Sequence, residues 1–383
     1  MAIHFPESEL TARRARACAM MAEVGLDGLL IFRQESLYYL TGYDTFGYVF
    51  FQCLYLGADG AMTLLTRAPD LRQARHTSVI EDVRIWVDLP DADPADQLRD
   101  ILDEHGCAGR RLGVEWEAYG LTARNGLRLT MALEDFCTLT DASELVSRLR
   151  VVKSDAELAY VRRAAELADD AYAEAVRLTH AGVSESQILA AMLGAVFSGG
   201  GDYPGNPFII GSGRDALLCR YKSGRRVLDA DDQITLEWAG VYRHYHACLM
   251  RTMRVGPPPP RQRVMFDAAA EALAAAEAAL VPDQPMGAAF DAHARVLDAG
   301  GFAEHRMNAC GYSLGSTFPP NWMDWPMLYH GNDEPVMPGM VIFVHIIIFD
   351  STAELAMSLG ETVAIGDTGP ERLSASPLDL VIG

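Results

Sequence analysis

The chain has 383 residues, half of them hydrophobic and 22% charged, which is enough to bury more than one core and rules out a disordered composition. A net charge of −20 speaks against a nucleic-acid or anionic-membrane partner, because phosphates recruit Lys and Arg, but it leaves a small charged ligand open. There is no long uncharged apolar run, no basic-then-apolar start, and the seven scattered cysteines hold no CxxC pair, so a cytoplasmic chain with reduced thiols is expected.

In chain order, apolar positions at helical spacing predict a helix from Glu9 to Glu23, ended by Gly25. Strand-like runs follow at Leu29–Phe32, Val49–Leu56 and Met62–Leu65, with an aromatic segment, Tyr38 to Tyr43, between the first two. A helix from Pro94 to Glu104 carries Asp93 as its N-cap and leads to a strand at Arg111–Glu115. Such alternation predicts a compact α/β domain over residues 1–150.

The stretch from Leu149 to Glu157 reads as a junction. There Ser154 and Glu157 form a capping-box pattern that opens a long Ala-rich helix to Leu178. A second helix is predicted at Val183–Phe197. Strands then dominate from Phe208 to the end, interrupted by one helix from Arg261 to Leu280, giving a second domain over 151–383.

The segment from Ile234 to Gly256 resembles the first metal-binding hairpin of the creatinase/prolidase/methionine-aminopeptidase, or pita-bread, family. Four further stretches are similar to that family in the same order: Tyr39–Gly42, Leu149–Ser154, Pro338–Val341 and Gly369–Leu373. The resemblance implies an α/β (α+β) chain with a creatinase-like N-terminal domain, a C-terminal pita-bread catalytic domain, and a homodimer. It also marks five positions that grip two divalent ions in the family. Here those positions read Glu237, Cys248, Tyr312, His345 and Gly360, with Glu361 one residue out of register. Hard divalent ions need carboxylates, so no metal and no other cofactor is expected.

Within the family the hairpin, and the run from Gly311 to Trp322, are most similar to the metal-independent members, creatinase and the ectoine hydrolases. Arg220 stands in the segment that carries creatinase's catalytic His, and Met323–Met327 departs from the ectoine-hydrolase pattern.

Alternation along a strand puts His246 and Cys248 on one face, with Glu237 facing the same way from the neighbouring strand. Glu237 is expected as general base or carboxylate nucleophile, and His246 and His345 as proton carriers. Tyr312 is expected to donate to a developing oxyanion. Arg220 reads either as a clamp on a substrate carboxylate or as a surface ion pair. Trp322, Asp324 and Trp325 suit a cationic or delocalised ligand, or else an aromatic interface. Cys248 and Glu361 complete the expected substrate-binding set. A zinc site built from Glu237, His246, Cys248 and His345 is the alternative ligand chemistry, without a zinc spacing to support it.

The expectation is a metal-independent hydrolase opening an amide, amidine or guanidine C–N bond in a small zwitterionic metabolite. The alternatives are an Xaa-Pro-type metallopeptidase, a non-catalytic binding paralogue, and a lyase acting on a sulfonium zwitterion.

Overall fold

A computed structural model describes residues 3–221 and 224–383. The chain divides between Arg150 and Val151 into two compact units.

The N-terminal unit contains strands β1 (Gly28–Ile31), β2 (Cys53–Gly57), β3 (Met62–Arg67), β4 (Asp82–Trp86), β5 (Arg111–Val114) and β6 (Thr138–Asp141). They form one mixed sheet in the order β4-β3-β2-β1-β5-β6. Helices α1 (Glu7–Glu23), α2 (Gln34–Thr41), α3 (Leu71–Thr77), α4 (Pro94–Glu104), α5 (Ala123–Leu133) and α6 (Leu145–Arg150) accompany it. Leu29 and Ile31 enter one buried cluster and Leu30 another, so β1 is apolar on both faces and reads as an unbroken hydrophobic run.

The cap on α4 is as the sequence demands, with the Asp93 side chain accepting from Ala95 N at 3.0 Å. The Tyr38–Gly42 segment closes α2, which ends at Gly42 in a left-handed conformation (φ 81°). The expected strand from Val49 is shorter in the structure and begins only at Cys53. Gly47 N donates to Thr45 Oγ1 at 2.8 Å, and this local side-chain bond draws the preceding residues into a turn.

The C-terminal unit opens with α7 (Asp155–Leu178), where both halves of the Ser154–Glu157 capping box are present, and α8 (Glu185–Ser198). Strands β7 (Ile209–Ser212), β8 (Asp232–Tyr242) and β9 (Tyr245–Val255) follow. Then come α9 (Pro260–Ala278) and α10 (Gly287–Ala299). The second of these is a helix in a stretch expected to be strand-dominated. Its buried residues include Ala289, Phe290, Ala294 and Leu297 at helical spacing, but the two alanines among them signal weakly.

The chain finishes with β10 (Gly311–Ser313), β11 (Asp324–Met327), β12 (Val341–Asp350), β13 (Leu355–Gly366) and β14 (Gly369–Arg372). The large sheet runs β11-β10-β12-β13-β9-β8-β7, with β14 paired to β13. Helices α9 and α10 bury a cluster that takes Ile342, Val344, Ile346 and Ile348 from β12, and Met357, Leu359, Val363 and Ile365 from β13. Among the described residues no helix is long and apolar enough to cross a membrane.

Candidate active site

Side-chain alternation decides what the large sheet presents on each face. On β8 the Trp238 indole donates to Ala168 O of α7 at 2.9 Å, and a Cβ on Gly240 would lie 1.9 Å from Ala164 O. Even-numbered β8 residues therefore press on α7, and Glu237 points to the opposite face. Ala247 of β9 packs against α7 residues Ala164 and Ala165, so His246 and Cys248 share the face of Glu237. The even-numbered residues of β12 and odd-numbered residues of β13 in the α9/α10 cluster leave Phe343, His345 and Gly360 on that same face. Cross-strand register places Glu237 opposite Met250, Met250 opposite Gly360, and Gly360 opposite His345.

Tyr312 of β10 closes the concavity. Its hydroxyl donates to Glu237 Oε1 at 3.2 Å and accepts from the Trp322 indole N–H at 2.9 Å. Glu237 is only 8% exposed. Burial raises its pKa to about 7, against the opposing pull of the Tyr312 hydrogen bond and the Arg220 guanidinium. Burial also holds the Tyr312 hydroxyl and the Cys248 thiol protonated, with the Glu237 charge adding to both. The Cys248 backbone is fixed on both sides by Thr362 Oγ1, which accepts from Cys248 N and donates to Cys248 O, each at 2.8 Å.

His345 has a partly accessible ring, but its Nδ1 is buried and has no hydrogen-bond partner among the described residues. Its ring centroid lies 5.7 Å from that of Tyr312 and 5.5 Å from that of Phe343. Burial first, then the neighbouring His293 and Arg220, lowers its pKa to about 4. Arg220 itself is exposed, and its charge is felt by both Glu237 and His345. It therefore sits within electrostatic reach of both candidate reacting groups.

Several expected site residues lie elsewhere or are otherwise engaged. Both ring nitrogens of His246 are occupied. Nε2 accepts from Gly205 N at 2.8 Å, while Nδ1–H donates to His244 O at 2.8 Å and reaches Thr317 Oγ1 at 3.1 Å. Burial lowers its pKa to about 3, so the ring is neutral and committed, which does not suit a proton carrier. Glu361 projects to the helix-covered face, where it pairs with the buried Arg251 and feels Arg372 and Glu277. A single residue of register moves a strand side chain through the sheet. Trp325 packs on the α9/α10 cluster. Asp324 lies beside Lys153: a Cβ on Gly315 would be 3.4 Å from Asp324 Oδ2 and 3.6 Å from Lys153 Nζ.

Phe343, by contrast, escaped the sequence reading. A Cβ on Gly360 would be 2.6 Å from its ring, and the ring also meets Tyr312 edge-on at 5.4 Å between centroids. Its aromatic character two residues before His345 is a period-two signal that points it into the same concavity.

The residues present do not fit a pair of hard divalent ions. The five positions offer one carboxylate, a protonated thiol, a phenol, an imidazole and a glycine whose side-chain space is filled by Phe343. Among the described residues no group of three or more His, Cys, Asp or Glu is gathered as a metal-holding set.

Comparison with known proteins agrees with this architecture. Residues 13–152 match the creatinase/prolidase N-terminal domain. An ectoine hydrolase from Halomonas elongata is 26% identical over 411 residues, covering 100% of this chain and 99% of that protein. An Xaa-Pro dipeptidase from Pyrococcus furiosus is 21% identical over 370 residues, covering 96% and 99%. The crystal structure of dipeptidase PepE from Mycobacterium ulcerans superposes with a TM-score of 0.85 at 25% identity, covering 99% of both chains. With residues 159–368 matching metallopeptidase family M24, the chain belongs to that family.

Proposed function

We propose that this chain is a metal-independent hydrolase that opens a C–N bond, in an amide, amidine or guanidine, of a small zwitterionic metabolite. The observation that carries the proposal is the content of the five ion-gripping positions: a single carboxylate, Glu237, remains there, hydrogen-bonded to Tyr312 and with its pKa raised to about 7. A base with a pKa near the working pH has the best balance of free carboxylate and proton affinity. The full-length likeness to an ectoine hydrolase supports a small zwitterion as substrate.

In this reading Glu237 acts in one of two ways. As a base it takes a proton from water while the water oxygen attacks the electrophilic carbon; as a nucleophile it attacks that carbon itself. The Tyr312 hydroxyl, which donates to the Glu237 carboxylate, is released when that carboxylate takes up a proton or forms a bond. It then turns to the oxygen or nitrogen on which charge develops. In the base route the proton that Glu237 took from water goes to the leaving nitrogen as the C–N bond breaks, with His345, neutral at pH 7, accepting it and handing it on. In the nucleophile route the leaving nitrogen takes its proton from solvent through His345, and water then hydrolyses the Glu237 ester to restore the carboxylate. The rings of Phe343 and Trp322, each in contact with Tyr312, suit a delocalised cationic group, and the exposed Arg220 suits a carboxylate at the other end of the substrate.

The test is a thermal-shift and product-detection screen over zwitterionic amides, amidines and guanidines, ectoine among them, with Glu237→Gln as control and metal analysis of protein purified without added ions. Stabilisation by one chemical class, with turnover lost in Glu237→Gln, supports the proposal. Two tightly held divalent ions per chain, with turnover abolished by chelation, would instead establish a metallopeptidase.

A further inference from the structure

We infer that His246 is a positioning residue: it fixes Trp322, and through Trp322 it holds the Tyr312 hydroxyl on Glu237. The ring is fully buried on the cavity face of β9 and ties its own hairpin turn to Gly205 and to Thr317. Nε2 accepts from Gly205 N at 2.8 Å, and Nδ1–H holds His244 O at 2.8 Å. Nδ1 also reaches Thr317 Oγ1 at 3.1 Å, and that hydroxyl donates on to Trp322 O at 3.4 Å.

Gly205 lies flat on the residues it helps to hold. A Cβ there would stand 3.0 Å from Asn321 O and 3.2 Å from Trp322 Cα, so only a bare backbone can approach so closely. The two contacts therefore hold the Trp322 backbone at two points, its Cα against Gly205 and its carbonyl oxygen on Thr317. The fixed indole then donates to Tyr312 Oη at 2.9 Å, and Tyr312 donates to Glu237 at 3.2 Å.

A neutral imidazole is needed for this arrangement, one nitrogen accepting from a backbone N–H and the other donating to a carbonyl. Among uncharged side chains, the amide of Gln offers the comparable pairing of one acceptor and one donor. The consequence for catalysis rests on the proposed role of Glu237; the hydrogen-bond chain does not.

The experiment is ¹⁵N-indole spectroscopy of the full-length protein, with the Trp322 resonance identified by its loss in Trp322→Phe and the other four tryptophans as internal references. His246→Phe is expected to move the Trp322 signal and speed its exchange with solvent while the other four stay in place. His246→Gln, whose carbonyl oxygen still accepts from Gly205, is expected to restore much of the parent signal. Thr317→Val, a near-isosteric change, moves the signal in the same sense as His246→Phe and decides the matter should that variant not fold.

On a substrate, His246→Phe and Trp322→Phe each lower kcat by on the order of a hundredfold with little effect on KM, and the double variant falls no further. A Trp322 resonance that stays put in folded His246→Phe, or in Thr317→Val, overturns the inference. Absence of turnover across the substrate screen removes the proposed activity but leaves the spectroscopic result standing.

Discussion

Tyr312 and Glu237 lie 75 residues apart and on strands four steps apart in the large sheet, yet their side chains share a 3.2 Å hydrogen bond. Across a flat sheet those strands would be separated by about 19 Å. The bond therefore records how far the sheet curls, and the concavity it encloses is the candidate site. Because this bond favours the carboxylate form of Glu237, Tyr312→Phe raises the Glu237 pKa further. The expected result is a kcat/KM at pH 7 lowered about tenfold, with the acid limb of its pH profile displaced to higher pH. An unmoved limb would show that Glu237 is not the group being titrated.

Stability should carry the mark of the same carboxyl. Glu237 titrates at about 7 when folded and about 4.5 when unfolded. Between those values the folded chain keeps a proton that the unfolded chain has released, so this group lowers stability as pH rises from 4.5 to 7. The effect is at most about 3 kcal/mol. His246 and His345 act oppositely: below pH 6.5 the unfolded chain takes up protons that the folded rings refuse down to about 3 and 4. Denaturation curves of Glu237→Gln and its parent at pH 4.5 and pH 8 should therefore show the variant gaining ground only at the higher pH. An equal difference at both values contradicts the assignment.

Gly360 has no room for a side chain, with Phe343 at 2.6 Å and Met250 Cβ at 2.9 Å from a notional Cβ. Gly360→Ala should lower stability by about 1–3 kcal/mol through overpacking. Adding Phe343→Leu should recover part of that loss, and Gly360→Glu should leave the purified protein without stoichiometric divalent ions. Calorimetry checks the first two expectations and elemental analysis the third.

Glu361 and Arg251 are each 1% exposed and pair on the face away from the cavity. Glu361→Ala leaves a buried guanidinium without its counter-charge, which should cost about 3–5 kcal/mol in chemical denaturation. Turnover per folded molecule should be unchanged. A selective loss of kcat without loss of stability would return Glu361 to the site.

Arg220 is exposed, and Glu237 and His345 both feel its charge. Arg220→Ala should leave the melting temperature unmoved and raise KM about tenfold for a substrate that bears a carboxylate. The same variant should leave the KM of an uncharged analogue alone, and steady-state kinetics on the two substrates separate the cases.

Much of this protein is written locally. The capping box of Ser154 and Glu157, the Asp93 cap and the glycine stop at Gly25 act within one turn of chain, so composition and spacing suffice to read them. The period-two rule likewise puts Glu237, His246 and Cys248 on one face of a hairpin, because alternation is a property of the strand itself. What the chain alone left undecided depends on partners distant in sequence. Gly205 and Thr317 turn His246 from a proton carrier into a clamp, and Arg251 claims Glu361 on the far side of the sheet. Phe343 fills the space at Gly360, while curvature brings Tyr312 onto Glu237. Spacing along a strand fixes which way a side chain points, but only closure of the sheet fixes what it meets there.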